Sequence, residues 1–311
     1  MKNLLLYLGV LGLIGCAYVA RALAQQTPSA GGVPSHIVVT VEPKRGNEAS
    51  TIRQEDVMVF EGQDRDTVTG WTPLKGDRAG LELFVQIDDE LSTTVGNQLD
   101  DIRKFINEQP ASTKVGVAYM QNGIARVLQE PTTEHDQAAK ALRLPMGVGG
   151  ANSSPYFALS DLVKKWPHSN ERRAVLMVSD GIDRYYGTGD LQDPYLEAAI
   201  DEAAKAGIIV SAIYSPGAGH FGHSYWLNYW GQIYLSELAD KTGGEAYYIG
   251  FTGAPVTFTP YLESLNRRLG NQYLLEFLAK PPKKAGWAPI RLRTEVQNVD
   301  LVSAGRVWVS P

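Results

Sequence analysis

The chain has 311 residues, 44% of them hydrophobic, with 29 Lys and Arg against 34 Asp and Glu for a formal charge of -5. That length allows one large α/β domain plus a smaller module, while the acidic balance excludes unaided binding to nucleic acid or to an anionic membrane. Cys16 is the only cysteine, which excludes disulfides and thiolate chemistry from the rest of the chain.

Residues 1–24, "MKNLLLYLGVLGLIGCAYVARALA", combine a basic start, an apolar stretch and a small-residue end, the pattern of a cleaved secretory signal peptide. Removing them takes away Lys2 and Arg21 and leaves 27 bases against 34 acids, a charge of -7. A competing reading takes "LIGC" as a lipoprotein box, with Cys16 lipidated and the protein held at the outer membrane. Arg21 and the apolar residues around it make a poor polar tether, which favours cleavage after Ala24. The exported body is then expected in the periplasm or outside the cell, without a transmembrane segment in its mature form.

Residues 25–34 read as a flexible leader. "HIVVTVEP", "DVMVFEG" and the weaker "DTVTGW" read as strands, so residues 35–75 form the first part of a β module. From residue 79 to 271 the pattern becomes α/β. The apolar strand "LELFVQI" precedes a helix whose Leu99, Ile102, Phe105 and Ile106 share one face. "KVGVAYM" and "ARVLQ" flank Asn122-Gly123, which predicts a hairpin and one antiparallel strand. Helices over "EHDQAAKALRL" and "YFALSDLVKKW" flank the glycine-rich "GVGGANSS". Then come strand "RAVLMVSDG", helix "YLEAAIDEAAKAG", strand "IIVSAIY", a long loop, helix "GQIYLSELADKTG", strand "GEAYYIG" and helix "YLESLNRRLG". Apolar strands alternating with amphipathic helices predict a mainly parallel central sheet covered on both faces. Residues 272–311, with strands over "QYLLEFLAK", "APIRLRTEV" and "GRVWVSP", complete the β module from the other chain end.

In such a sheet, ligands gather beyond the carboxyl ends of the strands. "IDDELS", "GANSSP" and "VSDGID" are expected to meet there. A strand-end acid with hydroxyls at two-residue steps, a mid-domain hydroxyl loop and a strand-end "SDG" resemble the von Willebrand factor type A (VWA) domain over residues 81–270. The strands added at both ends, with "LADKTGGEAYY" and "LNRRLGNQYLLEF", resemble its bacterial exported VWFA-related branch. The resemblance implies a three-layer αβα Rossmann-like fold plus a small β-sandwich-like module. It also implies a divalent cation, Mg or Ca, at a metal-ion-dependent adhesion site. Carried over residue by residue, the ligands are Asp88, Glu90, Ser92, Ser153 and Asp180. Glu90 stands where the family has a serine and Ser153 where it has a threonine, with Asn152 and Ser154 as competing alignments. A third carboxylate would occupy the ion's open position or accompany loss of the ion. Taken singly, each residue also has a structural reading: Ser92 or Thr93 as a helix cap, Asp180-Gly181 as a turn, Ser153 as a cap and Asp183 as a solvent-facing loop acid.

The stretch "SPGAGHFGHSYWLNYWGQ", residues 215–232, is long for a connection. Its His220, Phe221, His223, Tyr225, Trp226, Tyr229 and Trp230 form either a local apolar plug or a partner-binding surface. No G-x-S-x-G elbow, H-E-x-x-H pair or reactive cysteine is present. The expectation is therefore a non-enzymatic, exported binding or adhesion module for a protein or surface ligand. Its rivals are a structural envelope component with an inert, metal-free VWA site and a metal-assisted hydrolase.

Overall fold

The computed structural model describes residues 31–311 apart from 47, 149, 151, 152 and 191. The expected signal peptide, with Cys16, lies outside the described residues. The described residues open with three strands, β1 (Val33–Pro43), β2 (Met58–Glu61) and β3 (Asp64–Pro73). The α/β portion follows with β4 (Leu81–Asp88), α1 (Leu99–Asn107), β5 (Thr113–Gln121), β6 (Ile124–Thr132), α2 (His135–Lys140) and α3 (Pro155–Lys165). It continues with β7 (Arg172–Ser179), α4 (Pro194–Lys205), β8 (Ile208–Tyr214), α5 (Gly219–His223), α6 (Tyr225–Thr242), β9 (Ala246–Tyr247) and α7 (Thr259–Gly270). The tail is β10 (Gln272–Ala279), β11 (Gly286–Pro289), β12 (Arg291–Arg293), β13 (Val299–Val302) and β14 (Arg306–Val309).

The central sheet has the order β6-β5-β4-β7-β8-β9, parallel except for β6, which pairs antiparallel with β5 across the Asn122-Gly123 turn. Both turn residues have positive φ, 49° and 73°, as such a tight hairpin demands. Every residue of β4 is buried, Glu82, Gln86 and Asp88 included, as for a central strand covered on both faces. Leu83, Val85 and Ile87 face one layer with Ile102, Phe105 and Ile106 of α1 and Leu262, Leu265 and Leu269 of α7. Phe84 belongs to the opposite layer, with Leu159 and Leu162 of α3, Ile200 of α4 and Leu235 and Leu238 of α6.

Connections leave β4 in one direction toward β5 and β7 in the other toward β8. The strand order therefore switches between β4 and β7, which opens a crevice at their carboxyl ends. Asp88 and Ser179 are the last residues of these two strands.

The second module is built from both chain ends, as the terminal strand patterns predict. Its sheet has the order β12-β2-β3-β10-β1-β13, and β11 pairs with β14 as a separate ribbon. Its core joins Val39, Val41, Val57 and Val59 to Leu275 and Phe277.

Several elements depart from expectation. The helix after residue 133 keeps only six residues, His135–Lys140, and the strand over "GEAYYIG" shrinks to Ala246–Tyr247. The expected strand "APIRLRTEV" divides: β11 ends at Pro289 and β12 begins at Arg291, and β13 was not anticipated. The largest correction concerns 215–232, which is not a long loop. It holds the short α5 and the first two turns of α6, a helix that Ser224 caps by accepting from Leu227 N at 3.4 Å.

Candidate functional site

Four segments converge at the switch point. After β4 the chain runs through residues 88–92; after β7 it runs through 179–184. Met146, Gly147 and Gly150 close one side, with Met146 N donating to Asp89 Oδ1 at 3.1 Å, Gly147 N to Asp89 O at 3.0 Å and Gly150 N to Glu90 Oε1 at 3.4 Å. The segment after β8 closes the top. Ser92 N donates to Pro216 O at 3.1 Å, Ala218 N donates to Glu90 O at 2.9 Å, and Leu91 and Gly217 form an isolated antiparallel bridge.

Of the expected ligands, Asp88, Glu90 and Asp180 do come together, and all three are buried. Asp88 Oδ1 accepts from Glu90 N at 3.0 Å, and its Oδ2 accepts from the Ser179 hydroxyl at 2.9 Å. Asp180 Oδ1 accepts from Ile182 N at 2.9 Å. Ser153 is buried beside them, and its carbonyl accepts from Arg184 N at 2.8 Å. Ser92 is used differently. Its Oγ accepts from Thr94 N at 3.4 Å and from Thr94 Oγ1 at 3.0 Å, so it caps the short turn over Thr93–Gln98. Asp89, beside the cluster in sequence, turns away to a bidentate pair with Arg143 at 2.6 and 2.7 Å. Asp183 is a correction. It is fully buried rather than solvent-facing, accepting from Ser154 Oγ at 2.7 Å and from Tyr185 N and Tyr186 N at 2.8 and 2.9 Å.

The decisive neighbour was not anticipated. Arg184 reaches back into the acid cluster with its side chain only 5% exposed. One terminal nitrogen, Nη2, donates to Asp180 Oδ2 at 2.6 Å. The other, Nη1, lies 2.9 Å from Glu90 Oε2, approached off the N–H axis, so that contact is one of charge more than of directed hydrogen bonding. The Phe221 ring lies over the guanidinium carbon, 4.4 Å from centroid to Cζ. Gly217 completes the roof: a Cβ there would stand 2.2 Å from Asp180 Oδ2 and 2.9 Å from Arg184 Nη2. In sequence the arginine follows Asp180 by four residues, in "SDGIDR", a spacing that does not by itself turn the side chain inward.

Burying three carboxyl groups against one guanidinium leaves an excess of negative charge, which works against ionisation of Asp88 and Glu90. Burial, reinforced by the charges of Asp180 and Glu90, pushes Asp88 up to about 8. Burial also raises Glu90, although the Ser153 hydrogen bond and Arg184 oppose it. For Arg184, burial acts to lower the pKa, and the charges of Asp180, Asp88 and Glu90 outweigh it, so the group is raised and stays cationic.

A mainly parallel central sheet covered on both faces and an acid cluster at its switch point match what the sequence resemblance implied, and the antiparallel edge strand β6 matches the hairpin read from Asn122-Gly123. The fold is of the von Willebrand factor type A kind. No family model matches the chain, and no curated protein matches it. Similar solved structures include an aerotolerance-related membrane protein from Bacteroides fragilis NCTC 9343 with multiple mutations to serines. It is 14% identical, covers 61% of this chain and 98% of its own, and has a TM-score of 0.43. A second is BatB from Bacteroides thetaiotaomicron, at 14% identity, 61% and 97% coverage and a TM-score of 0.42. A third, described as von Willebrand factor type A from Catenulispora acidiphila, is 11% identical, covers 90% of this chain and 75% of its own, and has a TM-score of 0.45.

The divalent ion that the VWA resemblance implies does not fit the residues as they stand. A hard cation needs several oxygen ligands with free lone pairs directed at one point. Here a guanidinium cation already faces Asp180 and Glu90, within 2.6 and 2.9 Å of their oxygens, and each oxygen of Asp88 accepts one hydrogen bond, from Glu90 N and from Ser179. Among the described residues, no group of three His, Cys, Asp or Glu side chains is placed to hold a metal ion.

The VWA-type rim also carries the aromatic stretch. His220, His223, Tyr225, Trp226 and Tyr229 are exposed, whereas Phe221 and Trp230 are half-buried. Trp226 and Trp230 meet edge to face at 5.8 Å, and Trp230 leans on Tyr234 at 6.1 Å. Phe221 therefore belongs to the roof of the acid cluster, and the remaining rings split between an inward-facing stack and an outward-facing surface.

Proposed function

We propose that this chain is an exported, non-enzymatic interaction module that recognises an uncharged, apolar surface of a protein partner through the carboxyl-edge loops of its VWA-type domain. The observation that carries this reading is the chemistry of the rim. Apart from Ile124 and Leu128 on β6, the large hydrophobic side chains exposed among the described residues belong to rim segments. They are Leu144, Met146 and Val148; Tyr185 and Tyr186; Tyr225, Trp226 and Tyr229; Phe251 and Val256. Three of these stretches lack formal charge, with no Asp, Glu, Lys or Arg at 144–160, 206–236 or 246–262, while Tyr185 and Tyr186 follow Asp183 and Arg184, whose side chains are buried. Interface centres are enriched in Tyr, Trp, Phe and Met and depleted in charge, and a contiguous exposed apolar face on a charged body is costly without a partner.

The acid cluster supports a non-enzymatic reading, because its oxygens are committed to Arg184, Ser179 and backbone N–H groups and lie beneath Gly217 and Phe221. Export rests on the N-terminal signal pattern. Among the described residues, no helix is long and apolar enough to cross a membrane.

Site-specific photo-crosslinking in the producing cell tests the proposal. A crosslinker replacing Trp226 is expected to give one discrete protein adduct that Tyr229→Ala weakens at least tenfold. The same crosslinker at Leu128, on the sheet edge, is expected to give none. Equal labelling at both positions, or an adduct made of glycan instead of protein, would overturn it.

A further inference from the structure

We infer that Arg184 is a tethered substitute for the divalent cation: its guanidinium binds the carboxyl ends of β4 and β7 together and keeps Mg and Ca out of the cluster. This inference concerns the interior of the rim and does not depend on what binds the rim's outer surface.

The geometry supports it at three points. First, the guanidinium spans two of the positions at which the resemblance places ion ligands, Glu90 after β4 and Asp180 after β7, at 2.9 and 2.6 Å. Second, the arginine is fixed from the backbone upward, since Arg184 N donates to Ser153 O at 2.8 Å and so ties the β7 end to the hydroxyl loop. One residue thus touches all three segments from which the sequence resemblance drew ligands. Third, the position from which a partner carboxylate would approach an ion is closed. Phe221 lies over the guanidinium, and Gly217 is held so near Asp180 and Arg184 that no larger residue fits.

Glu90 acquires a reason in this arrangement. A serine there supplies a neutral ligand to a doubly charged ion, whereas a guanidinium carries one positive charge and five N–H donors and is best matched by carboxylates. The exchange of serine for Glu90 and the presence of Arg184 are two halves of one substitution. It replaces a dissociable ion with a covalently attached one, so the rim assembles without any metal supply.

The test uses the full exported chain in thermal unfolding and Mn(II) electron paramagnetic resonance. The wild-type protein is expected to bind no Mn(II) through the cluster and to unfold at the same temperature in EDTA and in millimolar MnCl2, MgCl2 or CaCl2. Arg184→Ala empties the bridge between the acids. It is expected to lose stability in EDTA and regain about 3 °C or more with millimolar Mn(II), since an ion bound only by the folded state raises Tm by mass action. A second change, Asp180→Asn, should abolish that recovery, and Arg184→Lys, which retains a cation, should stay indifferent to the ion. Stoichiometric Mn(II) binding by the wild type that Asp88→Asn removes would overturn the inference. So would a folded Arg184→Ala that ignores all three ions. Should Arg184→Ala fail to fold, the wild-type resonance measurement alone still decides whether the cluster admits a metal.

Discussion

Asp88 shows how far one residue's chemistry depends on what surrounds it. In the sequence it stands at the mouth of a strand as a cation ligand; in the fold it faces Asp180, Glu90, Arg184 and Ser179 and is pushed up to about 8, first by burial and then by the two acids. The sign of the consequence follows from linkage. Its folded pKa lies above the unfolded value near 3.9, so the folded state binds the extra proton between these limits. The stabilisation from neutral Asp88 is complete below the unfolded pKa and is lost as pH rises toward about 8. Thermal unfolding is therefore expected to show a Tm that falls between about pH 5 and about pH 8.5, and Asp88→Asn should flatten that slope. A wild-type Tm that rises across the interval would show that Asp88 is ionised in the fold. The candidate acids could be read from sequence because strand-end acids beyond an apolar run are local features. Arg184 could not, because a solvent-facing and an inward-facing arginine look alike until the roof of Gly217 and Phe221 is in place.

At the scale of elements, what sequence conveyed was periodicity, and it failed where periodicity was absent. The stripe of Leu99, Ile102, Phe105 and Ile106 gave α1 correctly, since only one face of that helix is buried. The start of α6 was hidden because its residues are apolar or aromatic on all sides, some packing inward and some left at the rim. The sequence pattern starts this helix at Gly231, whereas α6 begins six residues earlier, at Tyr225. In the fold Gly231 lets the helix approach the end of β7, where a Cβ on Gly231 would stand 2.2 Å from Asp180 O and one on Gly181, at φ +71°, would stand 2.2 Å from Gly231 O. Gly231→Ala must therefore push α6 away from β7 and shift the roof over Arg184. Overpacking of this kind costs about 1–3 kcal/mol, which urea unfolding resolves as a lower midpoint at unchanged slope. A midpoint equal to wild type would mean that α6 is free to move and that the roof is looser than these contacts indicate.

The whole molecule is organised around a chain that leaves its first module, builds the VWA-type domain and returns to finish what it began. β10 is the returning strand, and it enters the interior of the six-stranded sheet, pairing Gln272–Ala279 with Val33–Thr40 of β1 on one side and with β3 on the other. Leu275 and Phe277 then fill the core begun by Val39 and Val59. Arg172 marks the junction, donating to Gln272 Oε1 and Leu269 O on the returning chain and to Ala79 O on the outgoing one. Terminal strand patterns alone were enough to read this closure, because short apolar runs without helices between them need partners elsewhere in the chain. The two layers of the VWA-type core, by contrast, take no residue from beyond 270. Ending the chain after residue 271 should consequently have a divided effect. β1 and β3 lose their shared partner and expose two strand edges, while the central sheet keeps its own packing. Hydrogen exchange on the shortened protein is expected to show amides of Val33–Pro43 and Asp64–Pro73 unprotected, with Leu81–Asp88 and Arg172–Ser179 still slow. Loss of protection in all four strands would mean that the modules fold only together, and that Arg172 joins one cooperative unit instead of two.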